Sequence, residues 1–254
     1  MERKFEIDSK IQGYVFDEST KNSLFKLAHN NIIDSIDMPI ASGKEAVTFL
    51  GHLNENAIVA KIYKVSTSKF KNMDKYIKGD YRFKKVSKDK RDIFMVWASK
   101  EYKNLTLALR NNVSCPIVVA KELNVLIMSF IGEGDYPFPQ LSKMKDFDFD
   151  IVYPQIIENY AKLLYGAKIV HADFSAYNIL INPDTQKIYI IDFGQAVIYS
   201  HPKSKDFLKR DIMSITDFLN RKFRKMNITY EKVLEDLKIK KEELYGRNNK
   251  SWTQ

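Results

Sequence analysis

Apolar residues come in short blocks through the first half of the chain and recur at helical spacing through the second. Ile36 to Ile40, Val47 to Leu50, Ala57 to Tyr63 and Leu123 to Phe130 are short apolar runs, several of them β-branched, and each reads as a strand. Ile93 to Leu109 has helical spacing, with Trp97, Tyr102, Leu105 and Leu109 as candidate apolar-face positions. Phe149 to Gly166 predicts another helix, striped by Ile156, Ile157, Tyr160, Leu163 and Leu164. Pro154 is tolerable there only near the start, and Gly166 lies near the end. Ile179 to Ile181 and Ile188 to Ile191 read as strands, Asp206 to Arg224 as a helix, and residues 229–246 as two short helices.

This pattern predicts an α+β chain. Residues 1–35 read as a mostly helical extension packed on the first lobe, with Asn22 to Ile33 an amphipathic stretch. Residues 36–130 read as a strand-rich first lobe interrupted by a partly flexible basic insertion at 65–92, and residues 131–254 as a helical second lobe. The last eight residues are polar and are expected to fray. No internal repeat or low-complexity tract is present.

Charge and cysteine content narrow the picture. Forty-one Lys and Arg against 32 Asp and Glu give a net charge of +9 over 254 residues, a balance that favours polyanions such as RNA. Lys61 to Arg91 is the most basic stretch, with Tyr76, Tyr81 and Phe83 interleaved, and two readings stay open: an RNA or ribosomal contact, or a solvated loop. Cys115 is the only cysteine, so an intramolecular disulfide is excluded and a cysteine-based metal site is not expected. Met1-Glu2-Arg3-Lys4 leads into mixed polar residues rather than a leader peptide, and no 18-residue apolar run occurs, so a cytoplasmic protein is expected.

The chemistry concentrates in two stretches. His171-Ala172-Asp173-Phe174-Ser175-Ala176-Tyr177-Asn178 supplies an Asp with an Asn five residues on, and Asp192-Phe193-Gly194 ends the second short strand. Phosphoryl transfer from ATP needs that set: Asp173 to orient or deprotonate the acceptor, and Asn178 and Asp192 to offer oxygen atoms to a hard cation, Mg2+ or Mn2+. His171 reads as a brace of its loop rather than as the base.

Upstream lie the complementary parts. Ala57-Ile58-Val59-Ala60-Lys61-Ile62-Tyr63 is similar to the strand whose Lys pairs with the phosphates of ATP. A Lys inside an apolar strand demands a counter-charge, and Glu101 on the following helix is its natural partner. Ser42, Gly43, Lys44 and Glu45 form a turn between two strands, open to two readings: a cradle for phosphate oxygens, or a plain hairpin turn. Ile131-Gly132-Glu133-Gly134 resembles an interlobe hinge, with adenine bonding backbone groups near Ser129 to Ile131. Met128 either lines the back of that pocket or fills the core.

In this order the parts resemble the RIO family of atypical protein kinases, and its first subfamily in particular. The resemblance is carried by Ser42-Gly43-Lys44-Glu45-Ala46, Lys61-Ile62-Tyr63-Lys64, Asp74-Lys75-Tyr76-Ile77-Lys78-Gly79-Asp80-Tyr81-Arg82-Phe83, Trp97 to Leu105, His171-Ala172-Asp173, His201-Pro202-Lys203 and Phe207-Leu208-Lys209-Arg210-Asp211. The Asp74 to Phe83 stretch has no role in ordinary kinases. About 35 residues precede the glycine turn, too few for the winged-helix domain of the second subfamily. Two positions depart from the family: Phe193-Gly194 follows the metal Asp where a small residue and Ser are usual, and Val47-Thr48-Phe49 stands where Asn-Val-Tyr is usual.

The resemblance implies a bilobal kinase fold shorter than usual, since sixty residues follow Gly194 without an A-P-E segment. It also implies ATP and Mg2+ as ligands, autophosphorylation, and work on the maturing small ribosomal subunit and its rRNA. Ser66, Thr67, Ser68 and Ser87 in the basic insertion are candidate phosphate acceptors. An ATPase cycle with phosphate passing transiently to Asp192 is a second implied reading, in which the protein is a conformational switch with little protein-kinase activity. A small-molecule phosphotransferase is a third, disfavoured because sixty residues leave little room for its larger helical substrate domain.

Overall fold

The computed structural model describes residues 6–7, 17–64, 74–83, 90–224 and 226–246. The candidate acceptors Ser66, Thr67, Ser68 and Ser87, most of the basic insertion and the last eight residues lie outside them. The chain divides into two compact units. The first comprises residues 1–106 and 116–137, the second residues 107–115 and 138–254.

The first unit is built on a six-stranded sheet in the order β1-β2-β3-β4-β6-β5. Its strands are β1 (Glu6–Ile7), β2 (Ser35–Ser42), β3 (Ala46–Leu53), β4 (Asn56–Tyr63), β5 (Val118–Glu122) and β6 (Val125–Ser129). All neighbours are antiparallel except β1, which runs parallel to the start of β2 through Glu6↔Ser35 and Ile7↔Ile36. A strand in this region departs from the helical reading of residues 1–35, because its pairing is non-local and leaves no periodic signature in two residues. The helix that does form is α1 (Glu18–His29). Asp17 caps it by accepting from the Thr20 N–H at 2.8 Å, and Asn31 ends the turn beyond it in the left-handed region.

Period-two alternation sorts the sheet into two faces. Ile58, Ala60 and Ile62 of β4 join Val47 and Phe49 of β3 and Val125 and Ile127 of β6 in one core, covered by Leu24 and Leu27 of α1. Val59, Lys61 and Tyr63 therefore face the other way, where α2 (Asp74–Ile77), a short turn at Tyr81–Phe83 and α3 (Lys90–Arg110) are found. The last turn of α3 and the residues to Cys115 belong to the second unit. Where an interlobe hinge was expected, β7 (Gly132–Glu133) and β8 (Tyr136–Pro137) form a small hairpin turning at Gly134, whose φ is 54°.

The second unit is mainly helical. It contains α4 (Phe149–Ala161), α5 (Ser204–Lys222) and α6 (Tyr230–Tyr245), with the antiparallel pairs β9 (Ile169–Val170) with β12 (Val197–Ile198) and β10 (Ile179–Ile181) with β11 (Ile188–Ile190). Asp148 caps α4, and the helix runs on into a π-helical turn at Lys162–Gly166. Residues 229–246 form one helix, not two. Thr229 caps it, no Gly or Pro interrupts it, Val233 and Leu237 bury one side, and Gly246 closes it by donating to the Glu242 carbonyl. No described helix is long and apolar enough to cross a membrane.

Candidate active site

The first unit holds the lysine half. Lys61 Nζ lies 3.0 Å from Glu101 Oε1 and 2.9 Å from Oε2, and the Tyr63 hydroxyl donates to the same carboxylate. Glu101 is 1% exposed, so the buried carboxylate is matched by a cation and a hydroxyl rather than left alone. The strand register explains the meeting: Lys61 and Tyr63 share the face of β4 that lies opposite the α1 core. Met128 pairs with Val59 in register and is buried on that same face, away from the core of Ile127.

The turn at Gly43 is tied to its own hairpin. Its N–H donates to the Ala46 carbonyl at 2.9 Å, and its carbonyl accepts from Lys64 Nζ at 2.7 Å. Ser42, Gly43, Lys44 and Glu45 are all exposed, and Gly43 does not use the left-handed region. At the other end of the sheet, Ser129 is committed to Ile117. Its N–H donates to the Ile117 carbonyl, and its hydroxyl accepts the Ile117 N–H, both at 2.8 Å. That N–H is therefore not open to an adenine. Ile131 is half-buried just beyond the strand.

The second unit holds the acidic half. Asn178 Nδ2 donates to the Asp173 carbonyl at 2.9 Å and to Asp173 Oδ2 at 3.2 Å, which ties the two ends of the loop together. Asn178 immediately precedes β10, and Asp192 follows β11 with only Ile191 between. Ile179 pairs with Ile190, and the Ile191 N–H donates to the Asn178 carbonyl at 2.9 Å. The hairpin thus brings Asn178 and Asp192 to the same end of one two-stranded ladder. Its position is fixed from behind: Gln155 Oε1 accepts the Ile188 N–H at 3.2 Å, and the Ser114 carbonyl accepts the Ile190 N–H at 2.8 Å.

His171 is fully buried and lies 3.1 Å, through Nε2, from the Ile191 carbonyl. Its ring packs on Phe174 and on Phe193, with centroids 5.8 and 5.0 Å away. It links the two loops rather than facing solvent. The departure at Phe193 has a packing reason as well, since that ring is completely buried against the histidine.

Three residues of this half were not singled out from sequence as site residues. Gln195 Nε2 donates to Asp173 Oδ2 at 3.1 Å. Asp211, on α5, accepts the Ala172 N–H at 2.7 Å and the Phe174 N–H at 3.0 Å, the two amides that flank Asp173, and the Tyr160 hydroxyl at 2.8 Å. Arg210 donates to the Ala172 carbonyl. Ala172 has φ 65° and Asp192 φ 64°, a conformation that side-chain-bearing residues adopt only when held. Ala172 is held at both backbone polar groups, by neighbouring residues of one helix. Burial pushes the Asp211 carboxyl up to about 6, a rise restrained by its hydrogen bonds from Phe174, Tyr160 and Ala172 and by Arg210. The same burial, with the carboxylate beside it, pushes the Tyr160 phenol well above its ordinary range. Arg210 and Asp211 carry part of the family resemblance, but their distance from Asp173 in sequence hides the contact.

Cys115 takes no part in this chemistry: it is buried, and that pushes its thiol up to about 12. Among the described residues no cluster of three His, Cys, Asp or Glu side chains forms a metal site. The candidate donors at the hairpin end are the Asp192 carboxylate and the Asn178 amide oxygen. That set suits a hard cation which takes its remaining oxygens from phosphates and water.

Comparison with known proteins agrees with the fold. The profile of the RIO domain matches residues 46–233. The RIO-type serine/threonine-protein kinase Rio1 of Methanocaldococcus jannaschii is 38% identical over 221 residues, covering 87% of this chain and 75% of the relative. Its namesake in Haloferax volcanii is 35% identical over 213 residues, covering 84% and 72%. Among solved structures, the Rio2 kinase–ADP/Mg2+–phosphoaspartate complex from Chaetomium thermophilum aligns with a TM-score of 0.63 at 19% identity, covering 89% of this chain and 66% of that one, a likeness of fold. With a kinase-like α+β fold, an Asp–Asn–Asp hairpin end and a Lys–Glu pair, the chain belongs to the RIO family of kinases, in its Rio1 type.

Proposed function

We propose that this protein is an ATP- and Mg2+-dependent serine/threonine kinase that phosphorylates itself. The observation that carries the reading is the clamp of Asp211 on the two amides flanking Asp173, which fixes the acceptor-side carboxylate near the Asn178–Asp192 end of the hairpin. In this reading Asp173 orients the attacking hydroxyl and takes up its proton, with Gln195 and Asn178 restricting the carboxylate. Asn178 and Asp192 hold the cation, which when bound supplies charge neutralisation to the phosphate oxygens. Within the first unit, Lys61 is held by Glu101 and offers a cation to nucleotide phosphates.

A second reading is favoured by the phosphoaspartate present in the Rio2 complex. Asp192 attacks the γ-phosphorus, the bond to the β–γ bridging oxygen breaks and ADP leaves; water then cleaves the acyl phosphate. The protein would then be an ATP-driven switch. In either form the setting we propose is maturation of the small ribosomal subunit in the cytoplasm, with rRNA met through a surface whose net charge is +9.

The test is γ-labelled ATP with Mg2+, supplied to the protein alone and with small-subunit precursors. Acid-stable label on the chain supports a hydroxyl ester and self-phosphorylation, whereas hydroxylamine-labile label supports the acyl phosphate on Asp192. Asp173→Asn should lower phosphoryl transfer by about 10²–10⁴-fold. Full transfer by that variant, or transfer undiminished by chelating the Mg2+, would refute the assignment.

A further inference from the structure

The segment Asp74 to Phe83, foreign to ordinary kinases, has no role in the chemistry above, yet it is built into the first unit by a buried polar network. Asp80 is 2% exposed. Arg82 grips it with a two-pronged contact, Nε to Oδ1 at 2.9 Å and Nη2 to Oδ2 at 2.7 Å, and its own N–H donates to Oδ1 at 3.1 Å. The same guanidinium donates from Nη2 to Asn104 Oδ1 at 2.9 Å, and Asn104 is fully buried on α3. Lys100, one turn earlier on α3, is also fully buried. Its burial pushes the ammonium down to about 7, with Asp80 the carboxylate that opposes the fall. Around this charged centre Tyr76 meets Trp97 edge-on at 6.0 Å and Lys103 Nζ lies 4.7 Å from the Phe83 ring centre.

These contacts fall on Trp97, Lys103 and Asn104, successive turns of α3 on one side of the helix. Glu101 is the next residue after Lys100, rotated by about 100°. The side of α3 beside Glu101 is thus held by the 74–83 segment, while Glu101 reaches Lys61 and Tyr63 on the sheet. A shift of about 1 Å along the line of the Lys61–Glu101 contact, now 2.9 Å, would take it out of hydrogen-bond range.

We propose that Asp80 and Arg82 are positioning residues: through Asn104 they set the register of α3 so that Glu101 holds Lys61 for the nucleotide. This rests on the kinase reading of Lys61. A buried carboxylate paired with an arginine adds little to stability by itself, because an apolar contact of the same volume serves as well.

The experiment is a double-mutant cycle on the full chain, read by fluorescence titration with N-methylanthraniloyl-ATP and by thermal melting. Asp80→Asn is expected to weaken the analogue at least tenfold in the wild-type background and less than twofold in Glu101→Gln, because the residue acts through Glu101. Equal factors in both backgrounds, or no change in the first, overturn the proposal. Should Asp80→Asn fail to fold, Arg82→Lys takes its place in the same cycle. That variant keeps the charge and loses the two-pronged grip, and the same two outcomes decide. A wild-type chain that does not bind the analogue at all overturns the nucleotide reading itself. Binding with additive effects removes only the role of Asp80 and Arg82.

Discussion

Replacing Asp211 by Asn separates holding the fold from holding the catalytic loop. The carboxylate takes two hydrogen bonds on Oδ2, from the Ala172 N–H and the Tyr160 hydroxyl, and one on Oδ1, from the Phe174 N–H. An amide of the same shape keeps the first two on its oxygen and turns its NH2 toward the Phe174 N–H. That buried donor is left unsatisfied at a cost of about 1–3 kcal/mol. Against this, the amide escapes the burial penalty that lifts the carboxyl from 3.8 to about 6, worth roughly 3 kcal/mol at about 1.4 kcal/mol per unit. The two nearly cancel, so the variant should melt within a few degrees of the wild type at pH 7.5. Activity should not survive as well. The freed amide directly follows Asp173, and a displacement of about 1 Å at a reacting group lowers turnover about 100-fold.

The pH dependence gives a second, opposed signature. The folded state keeps the Asp211 proton up to about 6, while the unfolded chain releases it near 3.8. The stabilisation this carboxyl contributes is therefore complete below 3.8 and lost as pH rises through about 6. Between pH 3.5 and 7 the wild type should lose roughly 3 kcal/mol relative to Asp211→Asn, measured by urea unfolding. Activity runs the other way, because only the carboxylate accepts from both flanking amides, so wild-type turnover should rise through pH 6. Full activity of Asp211→Asn at pH 7.5, or an acid limb near pH 6 that persists in the variant, would refute the clamp.

Three further changes test other parts. Lys61→Met leaves the buried Glu101 carboxylate without its cation and should destabilise the protein by about 3–5 kcal/mol; adding Glu101→Gln should restore most of the melting temperature but not ATP affinity. Gly51→Ala would place a methyl 2.3 Å from the Ser35 carbonyl oxygen and 3.2 Å from Ile36 Cδ1, so a loss of about 1–3 kcal/mol is expected in denaturant unfolding. Gly43→Ala meets only the Ala46 carbonyl oxygen at 3.5 Å, and melting should be unchanged. A roughly tenfold rise in KM for ATP is expected if backbone must approach phosphate there, and an unchanged KM would assign the segment as a plain hairpin turn.

Much of this protein was legible in local sequence. Three of the expected strands of the first unit lie within β2, β3 and β4, the fourth overruns β6 by one or two residues at each end, and α3, α4 and α5 fall within a few residues of their expected ends, because each is set by a short-range period that a single run of residues can express. The alternation of Ile58, Ala60 and Ile62 with Val59, Lys61 and Tyr63 already required that Lys61 face away from the α1 core. Chemistry carried by neighbours in sequence, such as Asp173 with Asn178, was equally readable.

What depends on two distant segments was not. The β1 strand at Glu6–Ile7 exists only through its partner at Ser35–Ile36, and two residues are too few to show a period. Residues 229–246, expected as two short helices, form the single helix Tyr230–Tyr245, on which Val233 and Leu237 are buried. Ser129 looked free to meet a base until the sheet committed it to Ile117. Above all, only the folded chain brings Asp211 to the amides 37 and 39 residues earlier and Asp80 to α3. Burial turns such charged residues from a solvated face into structural anchors, and burial is a property of packing rather than of any one stretch of sequence.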